Sequence, residues 1–164
     1  MKIKNLEDFL AHELKDLYSA ETQLTKALPK MAKAAHDESL KKAFKNHLDE
    51  TQEHVERIKR VCEMLDVRPG GHKCKGMEGL IEEGEELLKE EDLDEHVIDA
   101  ALIAAAQRVE HYEIAGYGCA ITHCERLGFE DAAAILQETL EEEKNADEKL
   151  TEIAESSANP EAAA

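Results

Sequence analysis

Six polar side chains of this 164-residue sequence stand where apolar residues are expected. Glu21 lies four residues after Leu17 and three before Leu24, and Glu113 follows Val109 by four and precedes Gly116 by three. Glu143 and Asp147 fall within the series Leu136, Leu140, Glu143, Asp147, Leu150. Glu50 and His54, one turn apart, interrupt a stripe that runs Phe44, His47, Thr51, His54, Ile58, Val61, Leu65. Residues three and four apart share one helix face, so these groups are predicted to point inward. An isolated carboxylate in a dry interior costs at least several kcal/mol. Five together also repel one another, and His54 is the single cation available among the six. Either they are solvated, or something strongly positive sits between them. A pair of divalent ions fits, and oxygen-rich ligands with one imidazole suit iron or manganese better than copper.

The positions repeat. Glu113 lies 92 residues after Glu21, Glu143 lies 93 after Glu50, and Asp147 lies 93 after His54. The chain thus reads as two hairpins, each with one carboxylate on its first helix and an i, i+4 pair on its second. Packed about a pseudo-twofold axis, they would bring all six groups together at mid-bundle.

Four long helices are needed to hold them. The first is predicted from about Asn5 into the mid-thirties, with Leu6, Leu10, Leu14, Leu17, Leu24 and Leu28 inward and a kink at Pro29. The second starts at Asp37, a good N-cap, and runs to about Leu65. VRPGGHKCKG (67–76) breaks the chain, and a short amphipathic helix follows over 77–90. The third long helix begins near 93–95, turns Val97, Ile98, Leu102, Ala105 and Val109 inward, and stops at Leu127 before Gly128. The fourth runs from about Phe129 to Ala154 through Ile135 and Leu150. The short links make two antiparallel pairs, and the long middle connection is a crossover. The expected fold is all-α, a ferritin-like antiparallel four-helix bundle with a short extra helix in the crossover. One domain over 1–155 and a frayed tail over 156–164 are expected.

Composition agrees. Hydrophobic residues make up 42% and aromatics only 4%, which suits an aliphatic helical core. Twenty basic against 38 acidic residues leave a net charge of −18, which excludes non-specific binding to nucleic acid or an anionic membrane. No apolar run reaches membrane-spanning length, and the start MKIKNLEDFLAHEL lacks the apolar region of a secretory signal. Four cysteines are too sparse for a disulfide framework, so a cytoplasmic protein is expected.

HELKDLYSAETQL (12–24), MEGLIEEGEELL (77–88), DAALIAAAQRVEHYEIAGYG (99–118) and TLEEEKNADEKLTE (139–152) resemble the bacterial YciE/YciF-type stress-response family. The resemblance implies a ferritin-like bundle with a di-iron carboxylate centre, in a superfamily with ferritins, rubrerythrins and manganese catalases. It implies Glu21 as the first ligand and the turns around Glu50–His54 and Glu143–Asp147 as metal-binding. EHYE is similar to the Glu-x-x-Glu of rubrerythrins and adds Glu110 to Glu113. Two departures stand out: Thr51 occupies the carboxylate position three before His54, and Asp147 stands where a histidine is usual. A one-residue change of register would bring in Glu53 or Glu142 instead.

Tyr18, Tyr112 and His47 are candidates to support these ligands from behind. Gly116 and Gly118 suggest close helix approach, and a homodimer is expected. Cys119 and Cys124, His72 and Cys74 have no zinc-type spacing. The expected function is redox chemistry of a dinuclear iron or manganese centre with dioxygen or peroxide, of ferroxidase or peroxidase type, in a stress response. The alternatives are a non-enzymatic bundle acting by self-association or partner binding, and a thiol redox protein using Cys119 and Cys124.

Overall fold

A computed structural model describes residues 2–89 and 93–164. Four long helices dominate: α1 (Leu6–Ala34), α2 (Glu38–Met64), α4 (Ile98–Leu127) and α5 (Glu130–Ile153), with α3 (Lys75–Leu87) in the crossover. At 24 to 30 residues the long helices are roughly 36–45 Å in length. A 3-10 turn (Glu95–Val97) leads into α4, and no strand occurs among the described residues. Residue 90, the expected end of the short helix, lies outside the described residues.

The local signals act as the sequence suggests. Asn5 caps α1 by accepting from the Asp8 amide at 2.7 Å, and Asp37 caps α2 by accepting from Leu40 at 2.9 Å. Gly128 takes the left-handed conformation (φ 80°) that closes α4, letting the Phe129 amide donate to Cys124 O at 2.9 Å. Pro29 does not end α1, which continues to Ala34.

α1 pairs with α2 and α4 with α5, and the two hairpins meet through α1–α4 and α2–α5 contacts. Asp99, in the first turn of α4, accepts from the His36 amide at 2.8 Å and the Asp37 amide at 2.7 Å. α4 therefore starts beside the α1–α2 link and runs parallel to α2, so every adjacent pair of long helices is antiparallel. Replacing buried Asp99 with Ala strands two amides in the link; we expect a loss of about 1–3 kcal/mol in denaturant unfolding. A change below about 0.5 kcal/mol would mean the link is held elsewhere.

α3 packs outside α1 and α4. Gly76 sits where a Cβ would lie 2.6 Å from the Tyr112 ring, and Gly116 where it would lie 2.9 Å from Leu17 Cδ2. The close approach read into Gly116 is thus between α4 and α1 of one chain, while nothing lies near Gly118. The expected fraying after residue 155 is not what the structure shows. A π-type turn (Ala154–Ala158) leads into α6 (Asn159–Ala162). Ala158 is buried in the core, and the Ser157 hydroxyl donates to Asp37. The alanine-rich tail continues the helical path of α5 and stays ordered because Ala158 has an apolar seat and the half-buried Ser157 hydroxyl has a partner.

The apolar core comes in two bodies. One gathers Leu24, Leu28, Leu40, Phe44, Leu102, Val109 and Leu150; the other gathers Leu10, Leu14, Leu17, Ile58, Tyr117, Leu136 and Leu140. Glu21, His47, His54, Glu110, Glu113 and Glu143 occupy the interval between them along all four helices, all buried.

Candidate metal centre

Each long helix contributes to this interval because its stripe carries a polar residue at the same height. α1 supplies Glu21, α2 supplies His47 and His54 two turns apart, α4 supplies Glu110 and Glu113, and α5 supplies Glu143. They form two groups sharing one member. His47, Glu110, Glu113 and Glu143 offer ligand atoms all within 4.8 Å of one another, and so do Glu21, His54 and Glu143. His47 Nε2 lies 3.3 Å from Glu110 and 3.6 Å from Glu143, while His54 Nδ1 lies 3.0 Å from Glu143 and 3.4 Å from Glu21. These approaches do not close hydrogen bonds. Glu21 Oε2, His47 Nε2, His54 Nδ1, Glu110 Oε2 and both oxygens of Glu113 and Glu143 are buried without a partner.

Native proteins leave few buried polar atoms unpaired, each costing about 1–3 kcal/mol or more when charged. Eight in one place, all facing a common interior, form a set that could hold a metal ion. The groups present fit a pair of ions. Four carboxylates balance two divalent charges, Glu143 lies between the two groups, and one imidazole serves each.

The imidazoles are held from behind. The far nitrogen of His54, Nε2, bonds Glu142 at 2.8 Å, and Glu142 accepts from Arg57 at 2.5 and 3.0 Å. The far nitrogen of His47, Nδ1, lies 3.3 Å from Glu50. A carboxylate that accepts from one ring nitrogen leaves the other a bare acceptor facing inward, which fixes tautomer and orientation. Tyr117 donates to Glu21 and locks that carboxylate in place. Replacing Glu142 with Ala is expected to weaken metal binding about 10- to 100-fold, read by competition with a chromogenic chelator. Affinity within about twofold of the unsubstituted protein would sink that role.

Without an ion, protons must do the neutralising. Burial, reinforced by Glu21, Glu143 and Glu110, drives the Glu113 carboxyl well above the usual range. Burial also raises Glu21, despite His54, and lifts Glu143 to about 7 despite both histidines. Burial works against His54, but Glu143 and Glu21 outweigh it and take the imidazole up to about 10; Glu110 and its neighbours likewise raise His47.

Of the seven ligands expected from the sequence, Glu21, His54, Glu110, Glu113 and Glu143 come together. Glu50 does not: its side chain is 46% exposed, and it serves His47 rather than joining the cluster. Asp147 is turned to the rim, accepting from Gln107 at 3.2 Å beside His111. The cluster thus has four carboxylates and two imidazoles, not six and one. His47, in the α2 stripe seven residues from His54, joins the cluster itself and does not merely support it from behind. Tyr117 was missed although it follows Glu113 by four. Tyr112 instead bonds Asp16 at 2.8 Å and Cys74 at 3.0 Å, and Tyr18 faces the α1–α2 groove. Cys119 is exposed while Cys124 is buried, so helical geometry keeps the two thiols on different faces.

Fold and site together define an all-α bundle protein whose core is interrupted by a buried carboxylate–imidazole centre. The chain belongs to the family described as "Domain of unknown function (DUF892)", whose model matches residues 5–163. It is similar to protein YciF of Escherichia coli K12, at 51% identity over 163 residues covering 99% of this chain and 98% of that protein. The crystal structure of YciF, described as a stress protein, superposes with a TM-score of 0.91 over 96% of this chain and 99% of that one. YcfI of Rhodopseudomonas palustris, provisionally described as structural, is 45% identical with a TM-score of 0.87, over 92% and 95% of the two chains. A Xanthomonas campestris protein at 22% identity shares the fold (TM-score 0.74, covering 93% and 92%).

Proposed function

We propose that this protein is a cytoplasmic member of the ferritin-like superfamily that holds two iron or manganese ions in the mid-bundle cluster and uses them in redox chemistry with dioxygen or peroxide during stress. The observation that carries the reading is the set of eight buried, unpartnered ligand atoms converging from four helices. Such a pair of ions, once bound, supplies reversible one-electron changes and a Lewis-acidic seat for an oxygen species.

The chain's own residues do the rest. Glu21, His54 and Glu143 would hold one ion, and His47, Glu110, Glu113 and Glu143 the other. Tyr117 and Glu142 fix the orientation of Glu21 and His54 before any ligand arrives. The apolar bodies above and below keep water out, which strengthens each charge interaction inside. No helix among the described residues is long and apolar enough to cross a membrane.

Metal analysis of protein purified without chelators, then loaded anaerobically with Fe(II), is the test. Two ions per chain, with peroxide or dioxygen consumed on their oxidation, is expected. Fewer than about half an ion per chain would favour the second reading, a bundle that works by association, for which the description of YcfI is the supporting observation.

A further inference from the structure

A cleft of about 150 Å³ opens on the seam between α2 and α5. Exposed Asn46, Glu50, Asn145 and Lys149 stand at its mouth, and Ala43 of α2 and Ala146 of α5 line its sides. Its lining reaches His47 and Glu110, two members of the cluster. The grooves on the α1–α2 and α1–α4 seams include none of the cluster residues. Exposure follows the same direction: His47 and Glu110 keep 6% and 2% of their surface, whereas Glu21, His54, Glu113 and Glu143 keep 0%.

We propose that this cleft is the entry route for small exogenous ligands of two or three heavy atoms, and that it delivers them to the His47–Glu110 half of the centre alone. The inference rests on the reading that the cluster holds metal, and it adds which half is open and to what size of molecule. Alanine at both sides leaves a gap that a larger side chain on either helix would fill. The sides are apolar and the far end polar, which suits a small neutral or singly charged molecule that is then bound at its inner end. Glu50 and Lys149 at the mouth have opposite charges, so the entrance does not select strongly by sign. On the far side Tyr117 of α4 closes over Glu21, and further along the α2–α5 seam itself Glu142 with Arg57 closes over His54.

Azide binding to the Co(II)-loaded protein, followed in the visible absorption bands of the metal, tests this. The unsubstituted protein should bind two Co(II) and one azide per pair. The double variant Ala43→Leu, Ala146→Leu should still hold two Co(II) at equilibrium while azide affinity falls at least tenfold. Thr22→Leu, in the α1–α2 groove, should leave azide binding unchanged. Should the double variant fail to fold, each single variant and the azide stoichiometry of the unsubstituted protein decide the matter. Two azides per pair, no azide at all, or undiminished affinity in the cleft variants would overturn the route while leaving the metal reading intact. A protein that takes up no Co(II) would overturn both.

Discussion

Changing Glu143 to Gln is expected to reduce the bound metal from two ions per chain to one or none, and to make the metal-free protein more stable. Both effects have one cause. Glu143 is the carboxylate common to the two ligand groups, so its loss weakens both. The same carboxylate is fully buried with both oxygens unpartnered, and burial lifts it to about 7. At pH 8 the metal-free protein therefore carries a buried charge that a neutral amide of the same shape does not. Removing it should stabilise the metal-free form by about 1–3 kcal/mol, a rise of several degrees in melting temperature. Glu141→Gln, an exposed neighbour paired with Lys144, should change stability by less than about 0.5 kcal/mol and leave the ion count alone. Two ions still bound by the Glu143 variant, or a metal-free variant that melts earlier, would show that this group does not join the two halves.

The stability of the metal-free protein should fall as pH rises, while the gain from metal grows over the same range. His54 is raised from 6.5 to about 10, so its contribution is complete below about 6.5 and is lost as pH climbs through 10. Glu143 is raised from 4.5 to about 7, so the folded state binds that proton more tightly and loses stability between those values. Glu21, Glu113 and His47 are raised too and act with the same sign. Glu142, pushed up by burial but brought below its usual value by Arg57 and His54, acts with the opposite sign, though its contribution is complete above about pH 4.5. Metal binding needs the ligands deprotonated, so its affinity rises with pH. With Mn(II) at one fixed concentration, about a thousand times its dissociation constant at neutral pH, each ion adds about 4 kcal/mol there and more as the affinity rises. Calorimetric melts from pH 5.5 to 9 should show the loaded and metal-free curves diverging. Parallel curves would mean that no protons are displaced and that the cluster is not the binding site.

How much of this could be read from the residues depends on the angle between neighbours. His47 and Glu50 are about 60° apart around α2, one on each side of His54. The stripe allowed either to face inward. Packing of α5 against α2 decided it, leaving His47 buried and Glu50 at the edge, where it became the partner of His47. On α5, Asp147 lies only about 40° from Glu143, yet Gln107 and His111 of α4 hold it at the rim. Glu142, one residue from the ligand and outside the stripe, is useful because Arg57 on the facing helix neutralises it. Such pairings depend on a second helix that no single stripe describes.

By itself the sequence determined the class of fold, the caps at Asp37 and Gly128, and the existence of a charged layer inside an apolar core. Those are local or periodic properties, set by which residues recur every three or four positions. Tertiary structure alone decided which acids meet which imidazoles, which carboxylates stand behind them, and that the tail packs rather than frays. Contacts between elements distant in the chain turn on rotations of a few tens of degrees and shifts of a single turn, to which helical periodicity is blind.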